Sequence, residues 1–160
     1  AGDSPVLLKI APDLSLAELD DVVHVARSRR VDGMIVANTT LARPSTLREE
    51  NRAKEQGGLS GRPLFRLSTR MVAETYVRVE GAFPLIGVGG IDSGGAALTK
   101  IRAGASLIQL YSSLVYKGVG LVDDIKRDLS STLLRTGRDS LSEIVGADAA
   151  TITAEDWPVR

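Results

Sequence analysis

Four short apolar segments recur along this chain, and a helical pattern of apolar residues follows each of them. This alternation constrains the fold more than any other feature of the sequence. Strand–helix units in succession form a parallel sheet, and the crossovers between their strands are right-handed. The four segments lie within SPVLLKIAPDLS, VDGMIVANTT, LIGVGG and ASLIQLYSS. The sequence therefore predicts an α/β fold of four βα units.

The helices are predicted from apolar residues spaced three and four positions apart. Ser15 is expected to cap the first helix, Pro63 to open the second and Gly104 to stop the third. About 25 residues precede Pro63 after the second strand, and a loop of this length suggests a lid or a binding loop. A closing helix follows the fourth strand, and SLSEIVGA is expected to form a short tail helix. Each of three helices is expected to have one apolar face: Leu16, Leu19, Val23 and Ala26 in the first helix; Leu64, Leu67, Met71 and Thr75 in the second; and Val122, Ile125, Leu129 and Leu133 in the closing helix.

Composition limits the classes of function. The 160 residues are 43% hydrophobic, and twenty basic side chains balance twenty acidic ones. This composition suits one globular domain. The domain is expected to span 1–150, followed by a tail at 151–160. Because the basic residues are spread along the chain, neither nucleic-acid binding nor a polybasic membrane anchor is indicated. The absence of cysteine excludes disulfides, zinc–thiolate sites and a cysteine nucleophile in this chain. No apolar run approaches the roughly 18 residues of a membrane span, so a soluble, cytoplasmic chain is expected.

Polar residues and glycines cluster at the carboxyl ends of the predicted strands. A doubly wound sheet and half of an eight-stranded (β/α)8 barrel both bind ligands there. The dinucleotide fingerprint fails, because Asp92 stands where its third glycine should be. A glycine pair after one strand and a polar helix start after the next match the phosphate site of the barrel, although a turn that binds no ligand is also compatible. The residues are Lys9, Asn38, Thr39, Gly89, Gly90, Tyr111 and Ser112.

Five blocks of the sequence, in this order and spacing, resemble the C-terminal half of the class 2 dihydroorotate dehydrogenases. They are LLKIAPDLS, VANTT, GGLSGRPL, GVGGIDSG and IRAGASLIQLYSSL, and only TAEDWPVR lies outside the resemblance. The resemblance implies a TIM barrel of the (β/α)8 type, of which this chain would supply about half, equivalent to strands five to eight. It also implies an FMN cofactor and the oxidation of dihydroorotate to orotate in pyrimidine biosynthesis, with a quinone as the electron acceptor.

The resemblance also implies roles for individual residues. Lys9 would stabilise the electron density that the reduced flavin ring gains, and Ala37 would lend only its backbone carbonyl. No metal site is expected, and the catalytic base of class 2, a serine, belongs to the N-terminal half of the barrel. The expected cofactor contacts are Lys9, Ala37, Gly61, Gly89, Gly90, Tyr111 and Ser112, the last four at the FMN phosphate; the expected orotate contacts are Asn38 and Thr39.

Half a barrel is expected to be inactive alone and to expose two sheet edges. Three explanations stay open: two copies pair their edges, a separate chain supplies the other half, or a full enzyme has been trimmed. Truncation with homodimerisation is the favoured one. The complete parent enzyme would lie on the cytoplasmic face of an inner membrane, or its organelle equivalent, through N-terminal helices. Two alternatives stay open: a non-catalytic flavin- or phosphate-binding half barrel, and another FMN-dependent barrel oxidoreductase. His24, the only histidine, is expected at the surface of the first helix, and Asp92 and Ser93 are expected to cap the third.

Overall fold

The computed structural model describes residues 4–45 and 47–154. In these residues four parallel strands form one sheet in the order β1-β2-β3-β4. A doubly wound sheet reverses its strand order at a switch point, whereas a barrel adds each strand beside the one before it. The observed order is that of a barrel wall, as the strand ends predict. The strands are β1 (Leu7–Ile10), β2 (Gly33–Val36), β3 (Leu85–Val88) and β4 (Leu107–Gln109).

The helices follow the strands in the predicted order. Ser15 forms a capping box with Glu18, in which its hydroxyl accepts from the Glu18 amide at 3.3 Å and its own amide donates to the Glu18 carboxylate at 2.7 Å. This arrangement satisfies two amides that have no partner within the helix. The helices are α1 (Leu16–Ser28), α2 (Glu50–Ala53), α3 (Phe65–Val79), α4 (Gly94–Arg102), α5 (Ser112–Lys117), α6 (Gly120–Thr136) and α7 (Ala149–Ala154). Two short 3-10 turns span Arg62–Leu64 and Leu141–Ile144.

Several details differ from the sequence-based expectations. Leu16, expected on the apolar face of α1, is exposed. Val122 is exposed as well, and Leu121 takes the place expected for it on the buried face of α6. The tail helix expected in SLSEIVGA is the second 3-10 turn, and α5 was not expected, because six residues show too little periodicity to reveal a helix. The domain boundary expected at residue 150 stays a prediction; α7 spans Ala149–Ala154, and the tail from 155 onward lies outside the described residues.

The helices cover one face of the sheet and leave the other face open. Because side chains alternate along a strand, Ile10, Met34 and Leu85 pack into the core against α1 and α3. The strand register places Lys9 and Leu107 on the opposite face, in one row with Ile35 and Ile86. Leu107 is 62% exposed there. In a closed barrel this face would be the interior.

A second apolar cluster joins α4 to α6 and to the 3-10 turn at Leu141–Ile144, with Ile101, Ile125 and Leu129 among its buried members. Gly104 has a φ of 127°, which favours glycine at the end of α4. A Cβ added there would lie 2.4 Å from the side chain of Tyr76, so the absence of a side chain also allows α3 to pack closely. None of the helices in the described ranges combines the length and the apolar character needed to cross a membrane.

Candidate functional site

A cleft of about 1010 Å³ opens at the carboxyl ends of the four strands. Each strand end contributes to its wall, as does the loop that leads from β2 to α3. Since parallel strands end at the same edge of the sheet, residues far apart in sequence meet there. The lining includes all nine residues expected to touch cofactor or substrate, namely Lys9, Ala37, Asn38, Thr39, Gly61, Gly89, Gly90, Tyr111 and Ser112.

The turn between β3 and α4 needs glycine at two consecutive positions. Gly89 and Gly90 have φ values of 106° and 71°, in the left-handed region that favours glycine. A Cβ on Gly90 would lie 2.5 Å from the Cβ and 2.8 Å from the backbone nitrogen of Phe65, at the start of α3. A Cβ on Gly89 would lie 2.8 Å from the Ser68 hydroxyl. Close packing against α3 is therefore sufficient reason for both glycines, before any ligand is considered.

Asp92, just after this turn, joins two cations at the rim of the cleft. Its carboxylate accepts from Arg62 Nε at 2.5 Å, and its backbone carbonyl accepts from Lys117 Nζ at 2.7 Å. The expectation that Asp92 caps α4 is therefore wrong, because its carboxylate is taken by Arg62. The cap is Ser93, whose hydroxyl accepts from the Ala96 amide at 3.2 Å, as expected.

The end of β2 presents Asn38 and Thr39 to the cleft, and both are exposed. Ala37 is buried, and the peptide bond that joins it to Val36 is cis. The backbone N–H of Asn38 donates to the Ile10 carbonyl at 2.8 Å, which ties the end of β2 to that of β1. Gly58 returns so close to Thr39 that a Cβ on it would lie 1.9 Å from the threonine hydroxyl. Only glycine at position 58 leaves room for the Thr39 side chain.

The long loop after β2 is folded around Arg43. The five N–H groups of the Arg43 guanidinium lie within hydrogen-bonding distance of six backbone carbonyls, and Nη1 shares its two hydrogens among three of them. The carbonyls are those of Thr40, Leu41, Ala42, Ala53, Glu55 and Gly57, at 2.7 to 3.4 Å. Thr40 and Leu59 pair as an antiparallel bridge at the base of the loop. The Thr40 hydroxyl donates to the Asp13 carboxylate at 2.6 Å. The loop predicted to be a lid or binding loop thus lines the cleft through Ser60, Gly61 and Arg62, on a base fixed by Arg43.

The end of β4 closes the other side of the cleft. The hydroxyls of Ser60 and Ser112 lie 2.9 Å apart and join the long loop to the start of α5. Tyr111 is exposed. Lys9, on the open face of the sheet, is exposed as well, so in this chain the lysine does not carry the burial penalty expected for an apolar strand. His24 is exposed on α1, as predicted.

Lys100 was missed by sequence reasoning. It lies on α4 behind the glycine turn and is 0% exposed. Its Nζ donates to the Ser68 hydroxyl at 2.6 Å and lies 5.1 Å from the centre of the Phe65 ring. Burial holds the pKa of Lys100 well below the usual range of a lysine, because the ammonium form loses its contact with water. A signal was present, since Ala97, Lys100, Ile101 and Gly104 follow the spacing of a buried helix face.

A protein-family model of dihydroorotate dehydrogenase matches residues 1–133. The chain belongs to the dihydroorotate dehydrogenase family. Among curated relatives, the dihydroorotate dehydrogenase (quinone) of Bradyrhizobium diazoefficiens is 91% identical over 158 residues, which are 99% of this chain and 43% of the relative. That of Bradyrhizobium sp. strain BTAi1 is 92% identical over 159 residues, 99% of this chain and 44% of the relative. The chain thus spans less than half the length of these dihydroorotate dehydrogenases.

Solved dihydroorotate dehydrogenase structures support the barrel architecture. The ligand-free enzyme of Eimeria tenella aligns with a TM-score of 0.86 and 40% sequence identity, over 91% of this chain and 40% of that structure. The same enzyme in complex with ferulenol aligns with a TM-score of 0.84 and 41% identity, over 89% of this chain and 37% of that structure. These alignments confirm the predicted family and the TIM-barrel type of the fold, of which the chain supplies a part.

Proposed function

We propose that this chain supplies the FMN-phosphate and orotate-binding part of a quinone-dependent dihydroorotate dehydrogenase. One observation carries the proposal: nine residues from four strand ends and the long loop, expected from the resemblance to bind cofactor or substrate, line a single cleft. The names and the 91–92% identity of the Bradyrhizobium relatives support the same substrate and acceptor.

The size and the chemistry of the cleft support FMN as its ligand. Its volume of about 1010 Å³ is at the upper end of the range for small-molecule sites. One end is lined by Gly89, Gly90, Tyr111 and Ser112, which would hold the phosphate through main-chain N–H groups and the Ser112 hydroxyl. The adjacent rim carries two cations, Arg62 and Lys117, and the carboxylate of Asp92, so its net charge is positive, which favours a phosphate. Ala37 and Gly61 would present backbone groups, and Lys9 a cation, to the flavin ring.

The residues at the end of β2 suit a carboxylated pyrimidine. The side-chain amide of Asn38 can both donate and accept hydrogen bonds, and the Thr39 hydroxyl can do the same. Gly58 restricts the position of the Thr39 side chain, so this part of the site is held in place before substrate binds. When bound, FMN would supply a hydride acceptor for dihydroorotate. Lys9 would stabilise negative charge that develops beside it, since a fixed cation does so without reorganising.

We further propose that the chain alone does not turn over. The described residues provide four strands of an eight-stranded barrel, and the serine base of class 2 is expected from another part of the enzyme. A homodimer through the open sheet is our proposal for the isolated chain, supported by the exposed face around Leu107. Because quinones reside in membranes, we propose that the whole enzyme is membrane-associated, on the cytoplasmic face of an inner membrane or the organelle equivalent.

A second candidate is a flavin-binding half barrel without catalysis. The uncovered inner face of the sheet favours it, because a reaction centre open to water loses the electrostatic advantage of an enclosed site. Another FMN-dependent barrel oxidoreductase is the third possibility, and orotate binding through Asn38 separates it from the first.

Titration of the purified chain with FMN tests the proposal. We expect saturable changes in the visible flavin spectrum, and a further change on adding orotate that is lost in Asn38→Ala but kept in a matched surface variant, Asn51→Ala. Saturation without any response to orotate would favour the second or third candidate. If FMN does not bind at all, the proposed function of the chain is wrong. Dihydroorotate:quinone activity is then measured in the chain and in the B. diazoefficiens relative, and we expect it only in the relative.

A further inference from the structure

Lys100 is a fully buried lysine at the back of the glycine turn, on the helix that follows it. In the described part of the chain no carboxylate forms an ion pair with it. Its partners are the Ser68 hydroxyl at 2.6 Å, the Phe65 carbonyl at 3.5 Å and the face of the Phe65 ring. A buried amino group with so few partners destabilises the fold relative to an apolar side chain of similar size. Such a residue calls for an explanation beyond packing.

The hydrogen bonds of Ser68 connect Lys100 to the turn. The Ser68 hydroxyl accepts from Lys100 and lies within hydrogen-bonding distance of three carbonyls, those of Leu64 at 2.9 Å, Phe65 at 3.2 Å and Gly89 at 3.2 Å. A hydroxyl has one proton to donate, so it must choose among these acceptors. Lys100, by donating to Ser68, fixes the hydroxyl as a donor toward the carbonyls of α3 and of the turn.

Residues around Ser68 pack against the turn at Gly89 and Gly90. Atoms of Phe65, Ser68 and Leu64 surround the space where a Cβ on Gly89 or Gly90 would lie. The Lys100 side chain itself passes beneath β3, 3.5 Å from the position of a Cβ on Gly87. Lys100 therefore joins three elements, α4, α3 and the end of β3, at the place where the main chain turns toward the cleft.

We propose that Lys100 is a positioning residue for the anion-binding turn: through Ser68 it holds the main chain at Gly89 and Gly90 in the shape that receives a phosphate group. The proposal rests on the proposed function for the identity of the ligand, FMN. It does not depend on the charge of Lys100, because the ammonium and the neutral amine can both donate to Ser68.

The test compares FMN with riboflavin, which has the same ring system but no phosphate. Lys100→Met keeps the length of the side chain and removes the donor, and Ser68→Ala removes its partner. For each variant we expect the affinity for FMN to fall about tenfold or more, while that for riboflavin changes less than about twofold. Lys126→Met, at an exposed lysine of α6, is the matched control and should bind both flavins as the parent chain does.

A purely structural role would lower both affinities by the same factor, and this result, or no change in either affinity, would overturn the proposal. The double variant Lys100→Met/Ser68→Ala adds a second criterion. Because the two residues act along one path, its loss of FMN affinity should be close to that of either single variant. Additive losses would show that Lys100 acts independently of Ser68 and would contradict the proposed route.

Amide hydrogen exchange in the ligand-free chain separates this inference from the proposed function. We expect both single variants to speed exchange in the segment 88–92 relative to the parent chain and to Lys126→Met, and to leave α6 unchanged. Unchanged exchange in the turn would refute the positioning role even if FMN binds. Failure of the parent chain to bind FMN would refute the proposed function, while exchange would still decide whether Lys100 holds the turn.

Discussion

Gly90 offers the sharpest test of the site at the scale of single residues. Alanine there would place a methyl group 2.5 to 2.8 Å from the Cβ, Cα and backbone nitrogen of Phe65, at a φ of 71°. We expect Gly90→Ala to lower the free energy of unfolding by more than about 1 kcal/mol, because neither the strain nor the backbone contact can be relieved locally. Chemical denaturation measures this change.

Gly95 is the matched control for Gly90, five residues further along in α4. Nothing lies within 4 Å of a Cβ added to Gly95. Since alanine favours a helix over glycine by up to about 1 kcal/mol, Gly95→Ala should leave stability unchanged or raise it. Equal destabilisation by both substitutions would contradict the described packing of the turn on α3.

Asp148 predicts a dependence of stability on pH. Two hydrogen bonds from Arg102, at 2.5 and 2.6 Å, lower the pKa of Asp148 below its usual value. The unfolded chain then binds more protons than the native one near the usual carboxyl pKa of about 3.9. The pair therefore stabilises the fold fully above this pH, and its contribution is lost as the pH falls through the lower pKa of the folded state.

Asp148→Asn should thus be less stable than the parent chain at neutral pH by about 0.2–1 kcal/mol, since both side chains are more than one third exposed. The difference should disappear in strong acid. Unfolding measured by denaturant at several pH values checks this. Arg102→Met should show the same disappearance; a difference that persists in acid would mean that the pair stabilises by packing alone.

The sequence predicts the location of site residues well where they follow directly after a strand. Asn38, Gly89 and Ser112 could be placed in one cleft because each follows an apolar run, and parallel strands end together. Lys100 could not be interpreted in the same way. A lysine in the last turn of a helix is ordinarily favoured by the helix dipole. The burial of Lys100 depends on α3, whose Ser68 lies 32 residues earlier in the chain. The pairing of Asp92 with Arg62 likewise depends on two loops meeting.

Arg43 governs one element, the loop between β2 and α3. Its five N–H groups, arranged in a planar fork that the ammonium of lysine cannot reproduce, lie within hydrogen-bonding distance of six carbonyls. We expect Arg43→Lys to speed amide hydrogen exchange across residues 47–59 about tenfold or more, with α3 unchanged. Arg48→Lys, at an exposed arginine of the same loop, is the control. Equal exchange in the two variants would show that the loop is held by its ends alone.

Element order and helix faces were accessible from sequence, whereas the folding of this loop was not. Ser15 and Gly104 mark helix ends by chemistry that acts within a few residues. Pro63 opens the 3-10 turn that leads into α3, and not α3 itself, which begins at Phe65. The loop has no apolar periodicity, and its order comes from a single arginine bonding to carbonyls up to 14 residues away. The periodicity of apolar residues also failed to reveal α5, and it predicted that Val122 would be buried in α6, where Leu121 is buried instead.

At the scale of the whole molecule, the open face of the sheet predicts self-association. Leu107 is 62% exposed in a row that a complete barrel would enclose. We expect the mean mass of the isolated chain to rise with concentration in sedimentation experiments. Leu107→Lys should shift this rise to higher concentration, because a charged side chain would have to be desolvated in the contact.

The matched control is Leu134→Lys, which changes an equally apolar residue, 80% exposed, on α6. It should leave the association unchanged. A monomer mass that does not vary with concentration would contradict the homodimer proposed for this chain, and equal effects of the two substitutions would place the contact elsewhere than on the open sheet.

The sequential strand order has a consequence for how the chain acquires its structure. In the described residues β2, β3 and β4 each pair with the strand of the preceding βα unit, so the partner of each has been made before it. Paired residues of neighbouring strands lie 26 positions apart between β1 and β2, 51 between β2 and β3 and 21 between β3 and β4. Each pairing therefore closes a loop, at an entropy cost that grows only slowly with loop length, although parallel sheets form more slowly than helical bundles. The sheet can therefore grow one strand at a time as the polypeptide leaves the ribosome, each new unit docking on a surface that synthesis has already released.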